Sequence, residues 1–346
     1  MQEIVFDQAA PYTAYVGSGA VSRLAEAAGA AVRGTKAAVV TDTGVPARHV
    51  VKVCNALAGA GYLVKCLALP AGEVNKNLAG IEQIYAFLYE LGVTRADGII
   101  AVGGGMAGDM AGFAAATYLR GLPFINVPTT LISQTDSAYG GKTGVDFLKG
   151  KNYVGSFYDP AAVVCDTDFL LTLDKTQRLC GMGEVIKYGA IASEALLSLI
   201  AARGEELPTD DMIADCVRIK RGFVKGDERD NGKRRALNFG HTFGHAIEAA
   251  SGYTVPHGQA VAYGMLAAAH VGEKLGVTDP NALPAIEAAC RACGLDTDWR
   301  RKASEAVGLI ALDKKSDGAC VDMVLPERIG KPTRRKIAVE GIEKLI

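Results

Sequence analysis

The stretch DGIIAVGGGMAGDMAG, residues 97–112, decides the fold. DGIIAV (97–102) is an apolar run of strand length, GGGMAG (103–108) satisfies GxGxxG, and an Ala-rich segment of helical composition follows. A strand that ends in a glycine turn and opens a helix lets backbone approach a pyrophosphate, whose charge the helix N-terminus favours. Taken alone the match is weak, because the same glycines also permit tight strand-to-helix packing. It lies deep in the chain, and no acidic residue ends the next apolar run, PFINVP (123–128), where the usual fingerprint grips a ribose. Thr129 and Thr130 stand there instead.

Outward from this turn the pattern repeats. KAAVVTD (36–42) reads as a strand, ARHVVKVCNALAGAG (47–61) as a helix, YLVKCLALP (62–70) as a strand and KNLAGIEQIYAFLYELG (76–92) as a helix. Alternation of this kind implies a parallel sheet with helices on its faces, a Rossmann-like α/β domain whose ligands sit at the carboxyl ends of the strands. Asp42, at the end of the first of these strands, is a natural ribose acceptor, and GEVNK (72–76) offers Glu73 and Lys76 at the end of another. After about residue 175 the character changes: MGEVIKYGAIASEALLSLIAARG, DMIADCVRIKRGFVKGDE, GHTFGHAIEAASG and GQAVAYGMLAAAHVGEKLG carry helical periodicity with Gly stops. The expected plan is α/β plus all-α, with an α/β domain over 1–175 and a helical domain over 176–346, joined near AAVVCDTDFLLTL (161–173).

A chain of 346 residues has length for two cores. Its 37 Lys and Arg nearly cancel 38 Asp and Glu, so no overall field draws it to nucleic acid or an anionic membrane. The opening MQEIVFDQAAPYTAYVG has no charged and then apolar leader pattern, no apolar run reaches membrane-span length, and a cytoplasmic protein is expected. The eight Cys are scattered, mostly in apolar stretches, and read as free thiols. Cys290 and Cys293 form a CxxC, but three-residue spacing in AIEAACRAC simply stacks two small residues on a helix face.

GGKTG (140–144) suggests a phosphate loop, yet Asp136 stands where that motif needs its first glycine. What remains is a glycine-flanked Lys142 near Asp136, with Lys151 and Asn152 beyond, as in a pocket for anionic groups. Of five His, three fall close together: His241 and His245 four apart on one helix face in GHTFGHAIE, and His257 opening the next helix in VPHGQAV. With Glu184 in GMGEVIKYG they suggest a divalent metal, and spacing alone favours His241 and His245 as the paired ligands. HExxH is absent, which argues against a metalloprotease. Two His, a carboxylate and an open position would polarise a hydroxyl or carbonyl. Lys187, Lys220, Arg234, Arg235, Lys314 and Lys315 suit a substrate bearing phosphate and carboxylate.

In order along the chain, PAGEVNK, GGGMAGDMAG, YLRG, VPTTLISQTDSAYGGKTGV, GKNYVGSFYDP, GMGEVIKYG, DERDNGKRRALNFGHTFGHAIE, HGQAVAYGM and DKKSDG resemble the 3-dehydroquinate synthase family. The resemblance implies an NAD-binding α/β domain followed by a metal-binding helical domain. It also implies a phosphate-eliminating ring closure of the sugar acid 3-deoxy-D-arabino-heptulosonate 7-phosphate. NAD acts there as a catalyst, a divalent metal (zinc or cobalt) assists, and the protein is a homodimer. Residue by residue, the resemblance assigns the metal to Glu184, His241 and His257, and makes His245 a catalytic or phosphate-contacting neighbour. It places Asp136, Lys142, Asn152, Arg120, Lys187, Lys220, Arg234, Asn238 and one of Lys314 or Lys315 in the substrate pocket. It gives NAD to Asp42, Glu73, Lys76, Gly105, Asp109, Thr129, Thr130, Lys142, Lys151 and Thr172.

Three positions depart from the family pattern: Asp146 where many relatives have Asn, Gln259 for the Glu common after HG, and PAGE for PSGE. Gln259 puts a carboxylate behind the metal ligands in doubt. Competing readings are a cyclase of neutral sugar phosphates, of the 2-deoxy-scyllo-inosose or valiolone type, which tends to lose GGKTG, and a metal-dependent polyol dehydrogenase, which needs no lysine cluster. A non-catalytic nucleotide- and metal-binding regulator is disfavoured by the full set of acid, base and ligand groups.

Overall fold

The run 97–112 supplies an interior strand of a sheet and the helix after it. In the computed structural model, which describes residues 1–148, 150–310 and 320–346, strands β1 (Gln2–Phe6), β2 (Tyr12–Gly17), β3 (Lys36–Asp42), β4 (Leu63–Leu69), β5 (Gly98–Gly103) and β6 (Phe124–Pro128) enter one seven-stranded sheet. A hairpin, β7 (Lys142–Phe147) and β8 (Gly150–Phe157), precedes its last member, β9 (Ala162–Asp166). The order is β1-β2-β9-β6-β5-β3-β4, parallel except for the β1–β2 pair.

Two apolar layers follow from the period of two along each strand. Val39, Ile100 and Val102 face α1 (Leu24–Ala31) and α2 (Ala47–Gly59), packing on Leu24, Val53 and Leu57. Their neighbours Val40, Ile99 and Ala101 face α3 (Leu78–Glu90) and α4 (Gly105–Thr117), packing on Ile84, Leu88, Met110 and Ala111. Each fully buried Leu or Ile contributes roughly 1.5–3 kcal/mol of transfer free energy, so these layers dominate the stability of the sheet. Asn77 starts α3 by accepting the Gly80 N–H at 3.1 Å, a local cap legible in KNLAG. From β3 the chain goes outward to β4, then returns to β5 on the other side, which makes the carboxyl ends of β3 and β5 a topological switch point.

The chain divides into two compact units: residues 1–173 with 209–229, and 174–208 with 230–346. The first unit therefore takes in a helix, α7 (Asp210–Val224), that sequence periodicity had grouped with the second half. The second unit holds α5 (Lys175–Ala192), α6 (Glu194–Arg203), α8 (His241–Ala250), α9 (His257–Lys274), α10 (Ala282–Ala292), α11 (Trp299–Ile310) and α12 (Val339–Ile342). It also holds an antiparallel hairpin, β10 (Cys320–Arg328) and β11 (Lys331–Ala338), which helical periodicity did not announce. Helix α9 is buried along most of its length, from Gly258 to Gly272. Cys290 and Cys293 are buried free thiols on and just after α10, as their apolar surroundings suggested. Among the described residues no helix is long and apolar enough to cross a membrane.

Candidate active site

The GGGMAG turn does what both of its readings require. A Cβ at Gly103 would lie 2.6 Å from the Ala107 side chain, so packing alone excludes one there, and a Cβ at Gly104 would crowd Thr130 at 3.1 Å. The ligand signal is separate: α4 begins with no side-chain cap, leaving its first N–H groups available to an anion. Asp42 at the end of β3 accepts the Gly44 N–H at 2.9 Å, and burial pushes its carboxyl above the usual range. The Thr129 N–H donates to the Gly103 carbonyl at 2.9 Å, which fixes the end of β6 beside the turn. Thr130 accepts the Ser133 N–H at 3.3 Å and leads into a π-helical turn, Ser133–Ser137, that carries Asp136. Such wide turns are rare and frequently occur at functional sites. Thr172 closes a 3-10 segment, where its hydroxyl meets His49 Nε2 at 2.8 Å.

Two lysines of the first unit are buried with their counter-charges. Lys76 donates to Asp109 Oδ2 and to Asn152 Oδ1, both at 2.6 Å. Burial works to lower its pKa, but the Asp109 and Glu73 carboxylates outweigh this and raise it, so it stays an ammonium. Lys220, on α7, lies against the Asp136 carboxylate and donates to the Asp136 carbonyl at 2.5 Å. Arg120 and Asn152 are held at φ 68 and φ 51, in the left-handed region. That region costs a non-glycine residue roughly 1–2 kcal/mol, less for Asn, and such residues persist where surrounding structure enforces them. Lys142 and Lys151 lie on β7 and β8.

In the second unit, glycines bring three helices together. A Cβ at Gly183 would collide with the Gly258 carbonyl, and one at Gly264 with the Gly240 carbonyl, so α5 and α9, and α8 and α9, approach backbone to backbone. Each of these contacts adjoins a side chain with a ligand atom: Gly183 precedes Glu184, Gly240 precedes His241, and Gly258 follows His257. Among the described residues, Glu184, His241 and His257 form a group that could hold a metal, with their ligand atoms within 4.8 Å of one another. Both Nε2 atoms face Glu184 Oε1, at 3.3 Å from His241 and 3.1 Å from His257. The other ring nitrogens are occupied: His241 Nδ1 meets the Phe239 carbonyl at 3.1 Å, and His257 Nδ1 lies 3.4 Å from Glu248 Oε1. Second partners of this kind fix a ligating imidazole's tautomer and orientation.

Electrostatics at the cluster suit a cation. Glu184 is buried, which works to raise its pKa, yet Lys187 and His241 hold the carboxyl well below its usual range. Lys187 is itself buried and paired with Glu184. Burial works to lower the pKa of His257, but Glu184 and Glu248 outweigh it and raise it to about 10, whereas burial lowers His241. A carboxylate and two imidazoles with Nε2 atoms aimed at one point are a donor set that fits zinc or cobalt.

Glu248 was missed by sequence reasoning, because a glutamate on an amphipathic helix reads as a solvated one; its place seven residues after His241, on the same helix face, was the available signal. It also answers the doubt over Gln259, which instead exchanges two hydrogen bonds with the Asp296 backbone at 2.8 and 2.9 Å. A carboxylate stands behind His257 after all.

Models of the 3-dehydroquinate synthase N-terminal and C-terminal regions match residues 66–179 and 181–316. The chain belongs to the 3-dehydroquinate synthase family. The 3-dehydroquinate synthase of Streptococcus mutans serotype c (strain ATCC 700610 / UA159) is 39% identical over 345 residues, covering 97% of each chain. Among solved structures, a 2-deoxy-scyllo-inosose synthase complexed with carbaglucose-6-phosphate, NAD+ and Co2+ superposes with a TM-score of 0.88 at 25% identity, covering 99% of this chain and 98% of that one. A 2-epi-5-epi-valiolone synthase from Streptomyces hygroscopicus subsp. jinggangensis 5008, with NAD+ and Zn2+ bound, shares the fold at a TM-score of 0.82 and 24% identity, covering 96% and 95%.

The remaining candidates of this synthase-family chain fall as follows. His245 lies exposed on α8, its ring centroid 5.3 Å from that of His241, and is not part of the three-ligand group. Arg234 is buried, and Asn238 donates to the Arg235 carbonyl at 3.1 Å, both in a 3-10 segment just before α8. Arg235 itself is paired with Asp322 at 3.4 Å. Lys314 and Lys315 lie outside the described residues.

Proposed function

We propose that the chain is a 3-dehydroquinate synthase, converting 3-deoxy-D-arabino-heptulosonate 7-phosphate to 3-dehydroquinate and phosphate. One observation carries this: both family regions match in order, within a chain 39% identical to a 3-dehydroquinate synthase over 97% of its length. The reaction combines oxidation of a ring carbinol, elimination of phosphate, re-reduction and aldol closure, with no net redox change. When bound, NAD accepts and returns a hydride, and a zinc or cobalt ion acts as a Lewis acid toward the carbinol oxygen.

The chain's own groups divide the remaining work. Glu184, His241 and His257 would hold the metal, with Glu248 orienting His257. Asp42, Glu73, Lys76, Gly105, Asp109, Thr129, Thr130, Lys142, Lys151 and Thr172 are the dinucleotide contacts in this reading. Lys187, Lys220 and Arg234 supply positive charge to a substrate with phosphate and carboxylate, the arginine with a bidentate fork. Asp136 holds the Lys220 ammonium in place, and Arg120, Lys142, Asn152 and Asn238 are further substrate contacts in this reading. His245, which does not share the ligand cluster, takes proton transfer or phosphate contact. The family likeness further supports a homodimer working in the cytoplasm.

The intact GGKTG favours the sugar acid over a neutral sugar phosphate, since Lys142 supplies a cation for the carboxylate. Purified protein supplied with NAD and zinc or cobalt is expected to release phosphate from the heptulosonate phosphate. Release only from glucose 6-phosphate or a heptulose phosphate would overturn the assignment. Glu248→Gln keeps the shape of that side chain but removes its charge, and is expected to weaken zinc binding about tenfold or more. Competition with a chromogenic chelator measures this, and an unchanged affinity would remove Glu248 from the site.

A further inference from the structure

The β7–β8 hairpin breaks its register at one residue. Val145 pairs with Val154 and Phe147 with Gly150, so the single residue Asp146 stands opposite Lys151, Asn152 and Tyr153. Extra residues in one strand leave backbone groups out of the ladder and re-aim the side chains that carry them. Here Asp146 replaces the lost ladder partner: its Oδ1 accepts the Asn152 N–H at 2.7 Å. Its own N–H donates to the Lys76 carbonyl at 2.8 Å, which ties the hairpin to the segment after β4. Asn152, held at φ 51, turns its side chain to accept from the Lys76 ammonium, which Asp109 also holds. Gly150 allows the bulge to close, because a Cβ there would lie 2.5 Å from the Tyr153 ring.

We infer that Asp146 is a positioning residue, whose carboxylate oxygen sets the bulge that presents Asn152 and Lys76 to ligand as one hydrogen-bonded unit. The inference rests on the proposed ligand contacts of Asn152 and Lys76. Aspartate and asparagine would serve equally at this position: either side chain offers the same Oδ1 acceptor, and an aliphatic one offers none. The requirement is an acceptor and not a charge.

Steady-state phosphate release by Asp146→Ala, Asp146→Asn, Asn152→Ala and the Asp146→Ala/Asn152→Ala double variant tests this, with thermal unfolding and metal content measured beside it. Asp146→Ala is expected to lose about tenfold to a hundredfold in kcat/KM, the scale of a small misplacement of a contacting group, with full metal content. Asp146→Asn should restore activity to within about twofold of the parent, and the double variant should be no worse than Asn152→Ala alone, as for residues acting through one contact. Full activity in Asn152→Ala would overturn the ligand-contact reading beneath the inference. A damaged Asn152→Ala beside a fully active Asp146→Ala, failure of Asp146→Asn to restore activity, or fully additive losses would overturn the inference itself.

Discussion

His257→Ala is expected to lose bound metal and phosphate release together, with activity falling about a thousandfold or more. The size follows from the several kcal/mol that a Lewis acid contributes to a developing oxyanion, at 1.36 kcal/mol for each factor of ten. His257 opens α9 with its side chain 30% exposed, so truncation removes a donor without opening the core. Two donors would remain, and Glu184 Oε1 would face one imidazole instead of two. His245→Ala provides the contrast: metal content should stay at the parent level while activity drops. Metal loss in His245→Ala with retention in His257→Ala would reinstate the pairing that helix spacing alone suggests.

Lys220→Ala should lower phosphate release by about a hundredfold, in the range that a positioned charged or proton-handling group contributes. Its ammonium is fixed twice by Asp136, through the carboxylate and the carbonyl, so it is oriented before any ligand arrives. The metal donors belong to the other unit, and metal content should therefore not change. Thermal unfolding followed alongside separates a lost contact from a loosened π-turn. Near-parental activity would make the Lys220–Asp136 pair a brace for that turn and nothing more.

The centre of the sheet was legible because strands buried on both faces read as unbroken apolar runs, and DGIIAV, PFINVP and KAAVVTD do so. The β7–β8 hairpin was not, since its strands are short of apolar residues and broken by glycines, and the β10–β11 hairpin was not, since the apolar run of β10 pairs with a polar, largely solvent-facing partner, KPTRRKIA. Helix α7 shows why periodicity cannot assign a helix to a core: its buried stripe, Ile213, Val217 and Lys220 among it, names a face but not a partner. At the site, HxxxH spacing put His241 and His245 on one helix face and favoured them as the paired ligands, whereas the group around Glu184 takes His241 and His257. That outcome depended on close approach at Gly183 with Gly258 and at Gly240 with Gly264, contacts made between different helices, α5 with α9 and α8 with α9. The glycine beside each donor was visible in GMGE, FGH and PHG, yet nothing local says that a glycine serves packing and not a turn.

The central claim, a ring closure in which oxidation is transient, is tested most directly by the ratio of NADH formed to phosphate released. With the heptulosonate phosphate, NAD and zinc or cobalt, we expect many phosphates released per enzyme and NADH no higher than the enzyme concentration. One NADH for each turnover, or NADH formed without phosphate, would contradict the account and make the chain a dehydrogenase.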